Sequence, residues 1–306
     1  MTLRKPLIYI ASTGRSGSTI LELLLNASDF LWSTGEIYTL PWEIKRNGKC
    51  GCGKQIKACE FWTSVIDKDN KILEIGNNIS RFREYHFGGK FFRPLYLLNI
   101  LFQSRFFEKE ALCAFCKDNK KLFINIAASG SMSKKDIRYI VDASKDFYRL
   151  YWLSRCSEID LKVIHIVKDP RAYVYSNVKR FKKGHKSRWL QTIRMSAKYM
   201  VENSIIDLIV KRLEKENVFF VRYEDLASSP EIVMQNMFQW LNVPYQHHII
   251  HSFRKVKNHA IAGNYTRHLR TEIRLDEEWK TEFEPLLKAI TGTITRTKAK
   301  KYSYKL

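Results

Sequence analysis

Residues 8–19, Ile-Tyr-Ile-Ala-Ser-Thr-Gly-Arg-Ser-Gly-Ser-Thr, decide the fold. Ile8, Ile10 and Ala11 read as the end of a short buried strand, and Thr13 to Gly17 as a loop of small residues. Ser18 and Thr19 open a helix that runs on through Ile20-Leu21-Glu22-Leu23-Leu24-Leu25. A strand that passes through such a loop into a helix N-terminus makes a seat for an anion. The first N–H groups of the helix have no partner inside it, and its dipole is positive at that end. The seat looks like a Walker A loop, except that it ends Gly17-Ser18-Thr19 where a nucleotide triphosphatase carries Gly-Lys-Ser/Thr. The cation is Arg15, placed before the second glycine.

Outward from this loop the chain alternates. An extended piece covers 30–36 and ends in Glu36. An apolar strand is predicted at 137–141, followed by Asp142-Ala143-Ser144-Lys145, and a helix at 147–155. A second buried strand is predicted at 163–167. Pro170 then opens a helix at its favoured first position. An amphipathic helix follows over 189–213, then a strand at 218–221 leading into Tyr223-Glu224-Asp225-Leu226, and helices near 230–241 and 277–290. Strands separated by helices imply parallel βαβ units, hence an α/β, P-loop-like, doubly wound parallel sheet flanked by helices. Ligands of such sheets sit beyond the carboxyl ends of the strands, where the loops just named gather. Residues 75–120 break the alternation at Gly88-Gly89 and read as a mainly helical, substrate-facing insertion in one domain spanning 1–306. The tail 296–305, with five Lys/Arg in ten residues, reads as a solvated, frayed end.

A chain of 306 residues with 45% hydrophobic and 13% aromatic residues can bury a large core and is not a disordered one. Its net charge of +22 favours anionic partners: charged small molecules, nucleic acid or acidic membranes. The run 179–188 holds six Lys/Arg and is either a solvated face or a means of drawing in an anionic substrate. The apolar run after Pro6 is too short for a signal sequence. The stretch 91–107 is interrupted by Arg93, Asn99, Gln103 and Arg105, which argues against a membrane span and leaves an interfacial contact open. A cytoplasmic protein, at most at the inner face of the membrane and with reduced thiols, is therefore expected. The cysteines at 50, 52, 59, 113, 116 and 156 admit a zinc site in which Cys50, Cys52, Cys113 and Cys116 supply thiolates, with Cys59 close by. The spacing is not that of a standard ribbon or finger, and buried structural thiols are the plainer reading.

Taken in order, these loops resemble the sulfotransferases that use 3′-phosphoadenosine-5′-phosphosulfate (PAPS), particularly the bacterial carbohydrate-type and tyrosyl-protein types. The resemblance rests on Gly14-Arg15-Ser16-Gly17-Ser18-Thr19, Gly35-Glu36, Val141-Asp142-Ala143-Ser144-Lys145 and Ile166-Val167-Lys168-Asp169-Pro170-Arg171-Ala172-x3-Ser176. Val221-Arg222-Tyr223-Glu224-Asp225-Leu226 and His259-x3-Gly263-Asn264-x2-Arg267 extend it. It implies an enzyme that takes PAPS as sulfuryl donor, releases PAP and needs no metal. It further implies that Gly14, Arg15, Ser16, Gly17, Ser18 and Thr19 hold the 5′-phosphosulfate. Lys168, Arg171 and Ser176 would hold the 3′-phosphate. The family usually has arginine where Lys168 stands; lysine is a point charge without a bidentate fork, so Arg171 is the alternative holder.

Glu36, twenty-one residues after Arg15, matches the general base of tyrosyl-protein members. Lys145 would reach the bridging oxygen or the sulfonate. Tyr223 would flank the adenine or, more plainly, pack beneath the loop; Glu224 and Asp225 would cap the following turn. Gly263, Asn264 and Arg267 would form a late loop closing on the cofactor. The acceptor is expected to be a hydroxyl, foremost of a carbohydrate or glycolipid, with the positive charge pointing to an anionic one, and with tyrosine or a small alcohol as the alternative. A peripheral membrane contact accompanies that reading; nucleic acid is not expected. Its selection falls to 75–120, outside the resemblance. Two rival readings are a magnesium-dependent P-loop kinase, opposed by the absent lysine, and a basic nucleic-acid- or membrane-binding protein, which would show steep salt dependence.

Overall fold

The structure is a computed structural model that describes residues 6–67, 100–102, 109–134, 136–181, 186–262 and 272–306. Strand β1 (Leu7–Ala11) leads through the loop into helix α1 (Ser18–Asn26), and β2 (Leu31–Gly35) follows. After α2 (Leu40–Lys45), α3 (Glu60–Asp67) and α4 (Lys109–Gly130) come β3 (Tyr139–Asp142), α5 (Phe147–Leu153) and β4 (Leu161–Val167). The remaining elements that bear on the site are α6 (Pro170–Val178), α7 (Lys186–Val210), β5 (Val218–Arg222), α8 (Tyr223–Ser228), α9 (Pro230–Trp240), α10 (His248–Ser252), α11 (Glu278–Glu282) and α12 (Pro285–Lys301).

The five strands form one parallel sheet in the order β2-β3-β1-β4-β5. The chain moves to one side of β1 with β2 and β3, then to the other with β4 and β5. The switch point lies at the carboxyl end of β1, where the anion loop begins. β1 is apolar at every position because both of its faces are covered. Leu7, Tyr9 and Ala11 join one core with Trp152 and Ile206, while Ile8 and Ile10 join the other with Leu21, Leu24 and Phe238.

The extended piece at 30–36 is thus a full edge strand. Its register against β3 shifts between Ser33 and Gly35. Gly35 has φ +71°, and a Cβ there would lie 2.4 Å from the Ile261 carbonyl oxygen, so only glycine lets the 258–262 segment close on the strand. That segment prolongs the edge: Ile261 N donates to Thr34 O at 2.9 Å, and Glu36 N donates to Ile261 O at 2.8 Å. From behind, the buried Lys134 ammonium donates to the carbonyls of Asn26, Ser28 and Leu31, tying the end of α1 to β2.

Three expectations are corrected here. The helix expected at 277–290 is two helices, α11 and α12, and the basic tail is a docked helix, not a frayed end. Thr291, Thr295 and Ala299 form a stripe of small buried residues at helical spacing, with Tyr302 beneath it. Each threonine hydroxyl is satisfied within the helix, Thr291 by Leu287 O and Thr295 by Thr291 O, so neither is orphaned where the stripe packs against α6 and α7. Lys298 and Lys301 turn onto Asp207 of α7, at 2.5 and 2.7 Å. The expectation that all thiols stay reduced also fails, because Cys116 of α4 is disulfide-bonded to Cys156. Most of the expected insertion at 75–120 lies outside the described residues. Among the described residues no helix is long and apolar enough to cross a membrane.

Candidate active site

Each strand delivers one piece of the site just past its carboxyl end. After β1, the Thr13 and Ser16 hydroxyls meet at 2.8 Å and close the loop. Arg15 takes φ 66°, a left-handed conformation uncommon for a residue with a side chain, and Gly17 takes φ 83° at the N-cap of α1. The loop is pinned from below: a Cβ on Gly17 would come within 2.3 Å of the Tyr223 ring. Tyr223, first residue after β5, therefore packs under the loop. Its hydroxyl donates to Arg274 O at 3.1 Å, and its ring lies 4.5 Å from the Lys168 ammonium.

After β2 comes Glu36 and after β3 comes Lys145. They meet in an ion pair, Lys145 Nζ to Glu36 Oε1 at 2.9 Å, with side chains 18% and 14% exposed respectively for Glu36 and Lys145. Lys145 is a second non-glycine residue with positive φ, 58°. The turn that holds it is built on the buried Asp142 carboxylate, which accepts from Ser144 N at 2.9 Å, from the Ser144 hydroxyl and from Arg149 Nε at 2.7 Å. Ser144 Oγ in turn accepts from Tyr38 N, so the segments carrying Glu36 and Lys145 are joined behind the pair.

After β4 comes Lys168, its side chain 5% exposed and its Nζ 3.4 Å from Asp276 Oδ2. Ser176 lies two turns along α6, with its hydroxyl donating to Tyr173 O at 2.8 Å. Arg15, Gly17, Ser18, Thr19, Glu36, Lys145, Lys168, Ser176 and Tyr223 all line one cleft of about 480 Å³, joined there by Lys179 and Asp276. Four cations face two carboxylates in it, so it is built for an anion.

Arg171 is not brought to this cleft. Its guanidinium grips Asp169 through Nε (3.1 Å) and Nη2 (2.7 Å), donates to Lys305 O at 2.6 Å and lies 4.6 Å above the Trp279 ring. It lines a separate hollow of about 320 Å³ together with Tyr304. Tyr304 and Lys305 follow the docked C-terminal helix and Trp279 sits on α11, so residues far along the chain settle an outcome that local spacing did not reveal. Glu224 is likewise not a turn cap. It accepts from Asp169 N at 3.0 Å and from the Tyr304 hydroxyl at 2.6 Å, and burial raises its carboxyl above the ordinary range. Asp225 pairs with Arg222 instead, at 2.6 Å.

Gly263, Asn264 and Arg267 lie outside the described residues, as do 182–185 of the basic run. The two ends of that run are not simply solvated: Lys179 pairs with Glu278 at 2.8 Å at the cleft, and Arg188 is buried against Glu284 at 3.0 Å. The four-thiolate zinc set does not assemble either. Cys116 is spent in the disulfide and Cys113 is exposed, whereas Cys50, Cys52 and Cys59 gather with His259. Sequence reading placed His259 at the head of the late-loop motif and not with the cysteines, and it missed Asp276. The hint for the histidine's place was that Cys-x-Cys-x6-Cys is a set one ligand short.

A parallel sheet of order 2-3-1-4-5 whose strand ends converge on a cation-rich cleft, with a glycine loop but no Walker lysine, defines a P-loop-like α/β protein with an anion-binding site. The model of the sulfotransferase domain matches residues 5–303, and the chain belongs to that family, the PAPS-dependent sulfotransferases. Solved structures agree on the fold. The sulfotransferase domain of the Synechococcus PCC 7002 olefin synthase is 19% identical, with TM-score 0.55, covering 98% of this chain and 95% of that one. The sulfotransferase domain from the curacin biosynthetic pathway is 18% identical, with TM-score 0.56 and 98% of both chains covered. The sulfotransferase STF9 from Mycobacterium avium is 12% identical, with TM-score 0.50, covering 100% of this chain and 79% of that one. No curated protein matches the sequence.

Proposed function

We propose that the cleft seats PAPS with its 5′-phosphosulfate on Gly14–Thr19 and its 3′-phosphate at Lys168 and Ser176, and that Glu36 is the general base for an acceptor hydroxyl of a carbohydrate or glycolipid. The observation that carries this reading is the Glu36–Lys145 pair at 2.9 Å, set in the same cleft as the loop and Lys168. The residues present fit the donor. Open N–H groups at the start of α1 and the Arg15 side chain suit the 5′ end, and a buried ammonium beside a serine suits a phosphate at the other. Gly263, Asn264 and Arg267 keep their expected role as a covering loop, on the sequence alone.

In the transfer the acceptor oxygen forms a bond to sulfur as the bond from sulfur to the 5′-phosphate oxygen breaks. The electron pair of that broken bond leaves on the phosphate, and the acceptor's proton goes to the Glu36 carboxylate. Lys145, held at a hydrogen bond from Glu36, offers an ammonium to the oxygen on which charge gathers, and Arg15 offers a second cation from the loop. Such a site works by positioning and preorganised charge.

The carbohydrate or glycolipid acceptor rests on the motif resemblance and on the net charge of +22. Glu36 at its distance from Arg15 supports the second reading, a tyrosyl-protein acceptor. Acceptor choice stays with 75–120. A cytoplasmic setting with peripheral contact to an acidic membrane suits a glycolipid, whereas the Cys116–Cys156 disulfide argues for an oxidising compartment. The deciding experiment incubates the chain with labelled PAPS and a panel of glycans, glycolipids and tyrosine peptides. Glu36→Gln should lower kcat by about 10²-fold or more with the Kd for PAP unchanged. Undiminished transfer by that variant removes Glu36 from the role of base.

A further inference from the structure

The loop 50–59 and the segment 258–262 come from distant parts of the chain and meet beside β2. The loop turns tightly: Cys50 N donates to Lys54 O and Gly53 N to Cys50 O, both at 2.9 Å, with Gly53 at φ +89°. It also presses against the distant segment. Gly51 N donates to Ala260 O at 2.9 Å, and a Cβ on Gly51 would fall 1.8 Å from Asn258 Oδ1. Cys50 pairs with Ile261 in an antiparallel bridge. This crossing brings three thiols and one imidazole together.

Cys50 and Cys59 sulfurs are 3.6 Å apart, and those of Cys52 and Cys59 3.8 Å. His259 Nδ1 lies 3.7 Å from the Cys50 sulfur and 3.1 Å from that of Cys59, and all four ligand atoms fall within 4.8 Å of one another. A tetrahedral centre with metal–sulfur bonds of ~2.3 Å has sulfur–sulfur edges of about 3.8 Å. The cluster therefore has the edges of a coordination tetrahedron, not of a disulfide.

We propose that Cys50, Cys52, Cys59 and His259 bind one zinc ion as a closed structural site. Three thiolates and one imidazole are a soft donor set that selects zinc over the oxygen-seeking cations. Three neighbouring cysteines cannot all pair as disulfides, whereas a metal uses all three together with the histidine. Cys50, Cys59 and His259 are buried, so no open position remains for a substrate or for metal-bound water chemistry. The surroundings orient the histidine. Its ring stacks on Trp32 with an interplanar angle of 7°, and its carbonyl accepts from Trp62 Nε1 at 2.8 Å. The ion staples the 50–59 loop to the strand-like segment that ends in Ile261. Ile261 in turn holds Thr34 O and Glu36 N, so the staple reaches the edge of the cleft through two backbone hydrogen bonds.

Metal content measured on the full chain, purified without chelator and with no substrate present, tests this independently of the transferase reading. Elemental analysis should find about one zinc per chain, and cobalt exchange should give the visible bands of a tetrahedral thiolate site. Cys59→Ser and His259→Ala should lower bound zinc at least tenfold, roughly. His259→Cys, which keeps four ligands, should retain it, as should Cys113→Ser, whose thiol is exposed and not part of the cluster. If the ligand variants fail to fold, titration of the unaltered chain with an organomercurial in the presence of a zinc indicator should release about one equivalent. Zinc below about a tenth of an equivalent after reconstitution, or equal loss in Cys113→Ser, overturns the proposal.

Discussion

The loop Thr13–Gly17 and the segment Lys168–Ser176 bound one cleft, yet they are built in different ways. The first is a backbone device. Its shape comes from two positive φ angles, a hydroxyl pair three residues apart and the free N–H groups of the helix it opens. The second is a contest among side chains. Lys168, Arg171, Asp169, Glu224, Asp276 and the C-terminal Tyr304 and Lys305 all compete, and the outcome turns Lys168 into the cleft and Arg171 away from it. A binding element made of backbone carries its instructions in a dozen residues. One made of side-chain charges is settled by whichever counter-ions the rest of the fold supplies.

The sharpest break of that comparison is the pair Lys168→Ala and Arg171→Ala. A charged hydrogen bond to a phosphate is worth about 1.5–3 kcal/mol, so Lys168→Ala should weaken PAP binding by roughly 10- to 100-fold in calorimetry. Arg171→Ala should change PAP affinity less than about threefold and lower the melting temperature instead, because it leaves the buried Asp169 unpaired. The reverse pattern would return the 3′-phosphate to Arg171. Next in size is Gly17→Ala. A left-handed φ costs a side chain on the order of 1–2 kcal/mol, and the added Cβ meets the Tyr223 ring. PAP binding should weaken by about tenfold and thermal stability should fall; an unchanged variant would mean that the loop is not shaped by its backbone.

The smallest effect concerns the scaffold behind the second segment. Burial is the main cause that pushes His165 of β4 down to about 4, and Lys301 and Lys298 add to it against the opposing Asp207. Between roughly 6.5, the unfolded value, and about 4 the unfolded chain takes a proton that the folded chain refuses. Stability is therefore lost as pH falls through that window, by on the order of 1 kcal/mol between pH 7 and 5.5. Denaturant titrations at the two pH values should show this slope in the native chain and a shallower one in His165→Gln. Equal slopes would put the acid sensitivity elsewhere.

Much of the fold was legible because its signal is local. The apolar runs, the glycine loop and Pro170 mark strands and helix starts within a few residues of the observed bounds, as with 163–167 against Leu161–Val167. The anion loop and its neighbours Glu36, Lys145 and Lys168 were legible for the same reason, since strand ends of a parallel sheet gather on one edge. The fate of Arg171, Glu224 and the basic tail was not. Each depends on α12 docking along α6 and α7, and a stripe of Thr291, Thr295 and Ala299 among lysines does not look apolar in sequence. The cysteines show the same divide: Cys116 found Cys156 across 40 residues and Cys59 found His259 across 200.

The sequence by itself determined the sheet, the order of its loops and the seat for an anion, because these follow from residue pattern, glycine freedom and the end of a helix dipole. Only the tertiary structure decided which cation enters the cleft, which carboxylates restrain the others and which histidine completes the cysteine cluster. Charges and ligands act through space at a few ångströms, and that distance exists only once the chain has packed.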